Sequence, residues 1–274
     1  VDRNELLQGV LMLNQLLVND PETMVSNVMT KEGVKFHPHD NAQQATQAFE
    51  RYDLVSASVV DADGKLLGRV TVNAVIDFIR NKAESEARNL AGLSEQEDLF
   101  APIWKSVRNR WAWLAINLVT AFIASRVIGL FEDSIEKLVA LAALMPIVAG
   151  VGGNSGNQTI TMIVRALALG QVSTENTVKL ITKEIGVSLV NGFLWGGIVG
   201  LFTFLIYQNA SLGLVMALAM ILNLLLAALV GVIIPLTRKK LGRDPAIGSS
   251  VLITAVTDSG GFFIFLGLAT LLLL

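Results

Sequence analysis

Asp258 sits near the middle of 246–274, a stretch otherwise apolar enough to cross a bilayer. An aspartate at the centre of a membrane helix costs roughly 3 kcal/mol on insertion scales, and such residues usually face a bundle interior or a water-filled path. The carboxylate is therefore the first candidate for function. On a helix, Ser250, Thr254 and Asp258 share one face with Gly261, while Val251, Ile253, Phe262, Phe263 and Phe265 fill the opposite faces. A second apolar stretch holds Pro146 and the run Gly152-Gly153-Asn154-Ser155-Gly156-Asn157-Gln158, and there Asn154, Gln158, Thr161 and Arg165 recur on one helical face. Proline and glycine can open a helix, and unpaired carbonyls at membrane depth are tolerated only inside protein or beside a water-filled cavity. Both seams offer carboxylate, amide, hydroxyl and carbonyl oxygen, with no sulfur or imidazole. That donor set favours Mg²⁺, Ca²⁺ or Mn²⁺ over softer metals. With so few anionic ligands, an ion held largely through retained water is the better fit, and two copies of the chain in a symmetric dimer would double the carboxylates. The structural alternatives are interhelical hydrogen bonding by Asp258 and close packing through the glycines. Packing accounts for the glycines but not for three amides together.

The composition demands a lipid environment for much of the chain: of 274 residues 53% are hydrophobic and 16% charged, and the mean hydropathy is +0.58. A net charge of -2 does not point to a nucleic-acid partner, for which a strongly basic surface is expected. The absence of cysteine excludes disulfides, thiolate metal sites and cysteine nucleophiles. No apolar segment carries a Ser/His/Asp set or a histidine cluster, which argues against a membrane hydrolase; His37 and His39 are the only histidines. The chain opens at Val1 without methionine or a signal-like start, so its true N-terminus is expected upstream.

Five apolar segments are long enough to span a hydrocarbon core: 111–131, 138–164, 185–207, 212–236 and 246–274. Lys105, Arg108 and Arg110 precede the first; Arg165, Lys179 and Lys183 lie between the second and third; Arg238, Lys239, Lys240 and Arg243 lie between the fourth and fifth. Alternating spans put all three clusters on one side, which the positive-inside rule makes cytoplasmic, leaving Leu274 outside. Trp104, Trp111 and Trp113 suit the inner interfacial belt, and Arg126 can snorkel to the outer one.

Residues 1–80 read as a soluble α/β unit. Asp40 is expected to cap a helix over 41–52, followed by strands over 56–60 and 66–71 around the turn Asp61-Ala62-Asp63-Gly64, and a helix from Val72. A shift of 59 residues superposes Leu7, Gly9, Leu11, Leu13 and Asn14 on Leu66, Gly68, Val70, Val72 and Asn73, an internal repeat. The later copy, with Ser56-Ala57-Ser58-Val59-Val60-Asp61 and Gly64-Lys65-Leu66-Leu67-Gly68-Arg69-Val70-Thr71, resembles a CBS domain; the earlier retains only its closing strand and helix. The resemblance implies a regulatory module and ATP as a ligand, although Ala74 and its counterpart Gln15 stand where nucleotide-binding copies often carry an acid. Residues 81–104 form a polar, acidic stretch, either a solvated linker helix or a cation-sensing gate.

Taken together, the CBS pattern, the acidic linker, five spans, Pro146 with the glycine-asparagine run, and Thr254-Ala255-Val256-Thr257-Asp258 resemble the MgtE family of bacterial magnesium channels. The expected fold is a polytopic α-helical membrane protein with five transmembrane helices, preceded by a small α/β CBS domain and a linker helix. The resemblance divides the chain into a partial first CBS repeat (1–28), a CBS repeat (29–80), a plug-like linker helix (81–104) and a pore domain (105–274). It implies a homodimer in the bacterial plasma membrane, with Asp258, Thr254 and Ala255 at a Mg²⁺ site. It lines the pore with Gly153, Asn154, Asn157, Gln158, Thr161, Ser250, Thr257 and Gly261, and more weakly with Glu184 at the start of the third span. It further implies closure by internal Mg²⁺ bridging acids, the candidates being Asp61, Asp63, Glu84, Glu86, Glu95, Glu97 and Asp98. Residues alone leave two other readings open, a divalent-cation exchanger and a membrane-anchored CBS sensor that conducts nothing.

Overall fold

Shifted by 59 residues, Leu13 corresponds to Val72, and each begins a helix: α1 (Leu13–Val18) and α4 (Val72–Leu90). Between them lie α2 (Val25–Val28), β1 (Lys35–Phe36), α3 (Ala42–Arg51), β2 (Ser56–Val60) and β3 (Leu66–Thr71). These elements come from a computed structural model that describes residues 1–93, 100–172 and 176–274. It separates two units, Val1–Ser85 and Glu86–Leu274.

In the first unit β1 runs parallel to β2 and β2 antiparallel to β3, with Ser56 opposite Thr71. Both predicted strands have the expected limits, and in β2 the inward positions are Ala57 and Val60, either side of a register shift between Val59 and Val60. Asp61 closes the hairpin: its Oδ1 accepts from the N–H of Asp63 at 3.0 Å and of Lys65 at 2.8 Å, and Gly64 supplies the turn's φ of +85°. Phe36 and Phe49 stack with centroids 6.2 Å apart over Ala57 and Val75 to form the core. The earlier repeat contributes less than a strand. Leu6 bridges Lys65, and Val10 bridges Thr30. The cap of α3 differs from expectation. Asn41, not Asp40, accepts from the N–H of Gln43, at 2.8 Å, because Asp40 is already engaged by the N–H of His37 at 2.7 Å.

The second unit holds α5 (Ile103–Gly129), α6 (Glu132–Lys137), α7 (Ala140–Ala168), α8 (Thr177–Tyr207), α9 (Ala210–Lys240) and α10 (Ser249–Leu273). By length and composition four of these, α5, α8, α9 and α10, can cross a membrane, so this is a multi-pass membrane protein. Where five such segments were expected, α7 has the length, 29 residues, but its glycines and amides dilute its apolar character. The polar stretch expected as one helix over 81–104 is divided. Its first part continues α4 to Leu90, and Gly92, at φ +75° and with its Cα against the Trp113 indole, turns the chain where a Cβ would collide. Three of the predicted acids, Glu95, Glu97 and Asp98, lie outside the described residues.

Asn41→Ala removes the one side-chain cap of α3 and is expected to destabilise that helix by about 1 kcal/mol. Amide exchange over 42–51 should quicken about fivefold while exchange in α9 stays unchanged.

Candidate functional site

Helix α10, which carries Asp258, is fixed at both ends. Before it, Arg238 Nε donates to the Asp244 carbonyl at 3.0 Å, the Ala246 N–H donates to Asp244 Oδ1 at 2.8 Å, and Asn89 Nδ2 donates to Asp244 Oδ2 at 3.3 Å. Gly248, at φ +74°, then starts the helix. Near the far end the hydroxyls of Ser134 and Thr270 share a 2.7 Å hydrogen bond, and Phe131 meets Phe263 edge to face.

Between these anchors α10 sets its side chains against glycines of α7. A Cβ on Gly153 would sit 3.7 Å from Thr257 Oγ1, and one on Gly156 would come within 2.5 Å of Ile253 Cγ1. The contacts advance along α7 as they recede along α10, so the helices are antiparallel. In two antiparallel right-handed helices, the residue one place after each contact turns to the same flank of the pair. Asn154 and Asp258 therefore project to one side of the seam. On α7 that flank is open, with Asn154, Gln158 and Thr161 exposed and Asn157 half-buried; on α10 Ser250, Thr254, Ala255 and Asp258 are half-buried.

The remaining predicted residues have other surroundings within the chain. Gly153 and Gly261 are buried between helices. Thr257 is buried, and its hydroxyl donates to the carbonyls of Ile253 at 2.8 Å and Thr254 at 3.2 Å. Thr161 and Thr254 likewise donate to carbonyls of their own helices, those of Asn157 and Ser250. Glu184 lies within α8 rather than at its start, because the helix begins at Thr177, and it is only 3% exposed. Its Oε2 accepts from Thr159 Oγ1 of α7 at 3.2 Å, with Lys183 Nζ 3.7 Å from its other oxygen. In the first unit, Asp63 is exposed at the hairpin turn, and Glu84 pairs with Arg80 at 3.1 Å. Glu86 is half-buried in the second unit. Among the described residues no three of His, Cys, Asp and Glu gather as a metal cluster.

One residue escaped the sequence reading. Asn223, wholly buried in α9, donates from Nδ2 to the Val148 carbonyl of α7 at 2.9 Å. An amide alone in the run Ala219 to Ala227 is itself the signal that could have found it.

Against known proteins, residues 145–268 match the family described as MgtE, divalent cation transporter, and residues 25–81 match the CBS domain. The class so defined is a multi-pass membrane protein bearing a CBS domain and a domain of the divalent cation transporter family. The magnesium transporter MgtE of Bacillus subtilis (strain 168) is 30% identical over 98% of this chain and 60% of its own length. That of Thermus thermophilus is 32% identical over 100% of this chain and 61% of its own. Residues 145–268 thus carry the domain of the MgtE family, and the chain spans about 60% of the length of these curated relatives. A solved cytosolic domain of the Mg²⁺ channel MgtE in complex with ATP is 36% identical over 28% of this chain and 32% of that one, at a TM-score of 0.28.

The buried Thr159 to Glu184 bond should matter for stability. Thr159→Val keeps the shape but removes the donor, and is expected to cost about 1–2 kcal/mol and lower the apparent melting temperature of the detergent-solubilised protein by about 3–6 °C.

Proposed function

We propose that the chain is the channel part of a Mg²⁺ transporter, with α7 and α10 lining the ion's route and Asp258 binding it. The observation that carries this is the shared flank: Asn154 and Asp258 turn to the same side of an antiparallel pair, and that side of α7 stays open in the single chain. An amide row facing hydrocarbon would leave its hydrogen-bonding groups without partners. A second copy facing the first across a twofold axis would enclose both rows in a wet path and bring in the second Asp258.

In that arrangement α7 is the fifth span, tolerated in the membrane because its polar face turns to water and not to lipid. The basic clusters at Lys105 to Arg110 and Arg238 to Arg243 then lie in the bacterial cytoplasm with the CBS unit, and Leu274 outside. With one carboxylate per chain the ion keeps most of its hydration shell, and the amides Asn154, Asn157 and Gln158 with the hydroxyls of Ser250 and Thr254 bond to that water. Permeation closes when cytoplasmic Mg²⁺ bridges acids such as Asp61, Asp63, Glu84 and Glu86. The relatives' shared name, magnesium transporter, supports both the ion and a non-enzymatic role.

A pocket in the CBS unit is lined by Phe36, His37, Asp40, Ala74 and Phe78. Its apolar wall suits a nucleobase. Ala74 offers no carboxylate to ribose hydroxyls, and Asp40 is committed to its own turn.

Asp258→Ala is expected to abolish Mg²⁺ flux into proteoliposomes while the dimer still assembles on size-exclusion chromatography; undiminished flux sinks the assignment. For the CBS pocket, titration calorimetry of the full chain is expected to give an ATP Kd near about 1 mM, some 4 kcal/mol of binding. Micromolar affinity would show that Ala74 is no handicap.

A further inference from the structure

Asn223 is an expensive residue to place in a helix as apolar as α9. It is wholly buried, its Nδ2 donates to the Val148 carbonyl of α7 at 2.9 Å, and its Oδ1 accepts no hydrogen bond among the described residues. The bond fixes which end of the amide is nitrogen, since a carbonyl can only accept. Around it stand two glycines from different helices. A Cβ on Gly152 of α7 would run into Nδ2, and one on Gly261 of α10 would lie 2.7 Å from Nδ2 and 3.0 Å from Cγ. The carboxamide thus fills a notch cut into both helices at once.

Below this notch α9 continues along the same side of α7. Ala227 would lie 3.6 Å from a Cβ on Gly156, and Gly231 abuts Thr159. None of the exposed residues Asn154, Gln158 and Thr161 takes part in these contacts, so α9 backs α7 on the side away from its open amides. Val148 belongs to the turn after Pro146, whose missing N–H deprives the Ala142 carbonyl of its usual helical donor. A tie from outside the helix therefore reaches the turn that follows the break in the α7 ladder.

We propose that Asn223 is a positioning residue that sets the separation of α7 and α10, and so the spacing of the ion-contacting groups they carry, without touching the ion. The inference rests on reading those two helices as the ion pathway. Gly152 and Gly261 are then clearance for the Asn223 amide, and enlarging either glycine pushes the helices apart only while that amide is present.

The test measures Mg²⁺ flux into proteoliposomes over a range of Mg²⁺ concentrations for wild type, Asn223→Ala, Gly261→Ala and the double variant, with the Mg²⁺ to Ca²⁺ flux ratio alongside. Asn223→Ala is expected to change both the half-saturating concentration and the ion ratio. Gly261→Ala should raise the half-saturating concentration about fivefold in the wild-type background and less than about twofold in Asn223→Ala, the coupling expected of groups in contact. An equal effect in both backgrounds, or an Asn223→Ala channel with wild-type saturation and ion ratio, overturns the proposal. Should Gly261→Ala not reach the membrane, Gly152→Ala serves the same comparison. Because the chain has no cysteine, spin labels on Ile147→Cys and Phe263→Cys report the α7 to α10 distance independently of flux. Asn223→Ala should broaden that distribution, and an unchanged one counts against the role. A wild-type protein that passes no Mg²⁺ defeats the transport reading itself, whereas a conducting protein without the coupling defeats only this inference.

Discussion

The contact of α7 with α10, where Thr257 and Ile253 enter the space left by Gly153 and Gly156, is the constraint on which the arrangement of the site depends. The space between them holds only what the glycines of α7 make room for, so the larger polar groups turn to one flank or the other. On one flank stand the amides of α7 and the carboxylate of α10. On the other α9 brings apolar bulk and one amide, Asn223, into the notch at Gly152 and Gly261. The glycines are what make room for Ile253, Thr257 and Asn223 between the three helices, and antiparallel geometry is what makes the polar faces of α7 and α10 coincide.

Several threonine hydroxyls inside the bundle find partners close at hand. Thr257 and Thr254 return their hydroxyls to carbonyls of their own helix, and Thr159 gives its hydroxyl to Glu184. Such bonds satisfy groups that would otherwise be stranded in a medium without water. They also separate two kinds of polar residue within one helix. Thr257 is sealed in packing, while Asp258, its neighbour in sequence, lies half open on the flank shared with Asn154.

Much of this was legible in the sequence because it rests on periodicity. The strands 56–60 and 66–71, the start of α4 at Val72 and the polar stripes on α7 and α10 follow from spacings of two, three and four. What depends on a partner elsewhere in the chain was not. Asp40 and Asn41 are equally good caps by type, and only the demand of the His37 N–H decides between them. Glu184 looks like a residue at a helix start until α8 proves to begin at Thr177. Gly261 falls on the polar face by its spacing, yet the space it leaves is filled by an amide distant in sequence. Asn223 belongs to no stripe, and a single amide in an apolar helix has no period to reveal it.

The open amide row of α7 also bears on how such a protein is made. A chain inserted alone offers Asn154, Gln158 and Thr161 to whatever surrounds it, and acyl chains cannot return their hydrogen bonds. In the dimer proposed above, its free energy is lowered by meeting another copy in the plane of the membrane. Pairing would then be a matter of surface density: newly inserted subunits, dilute among lipids, would be the least settled form of the molecule. They would gain their full stability only as the membrane fills with their own kind.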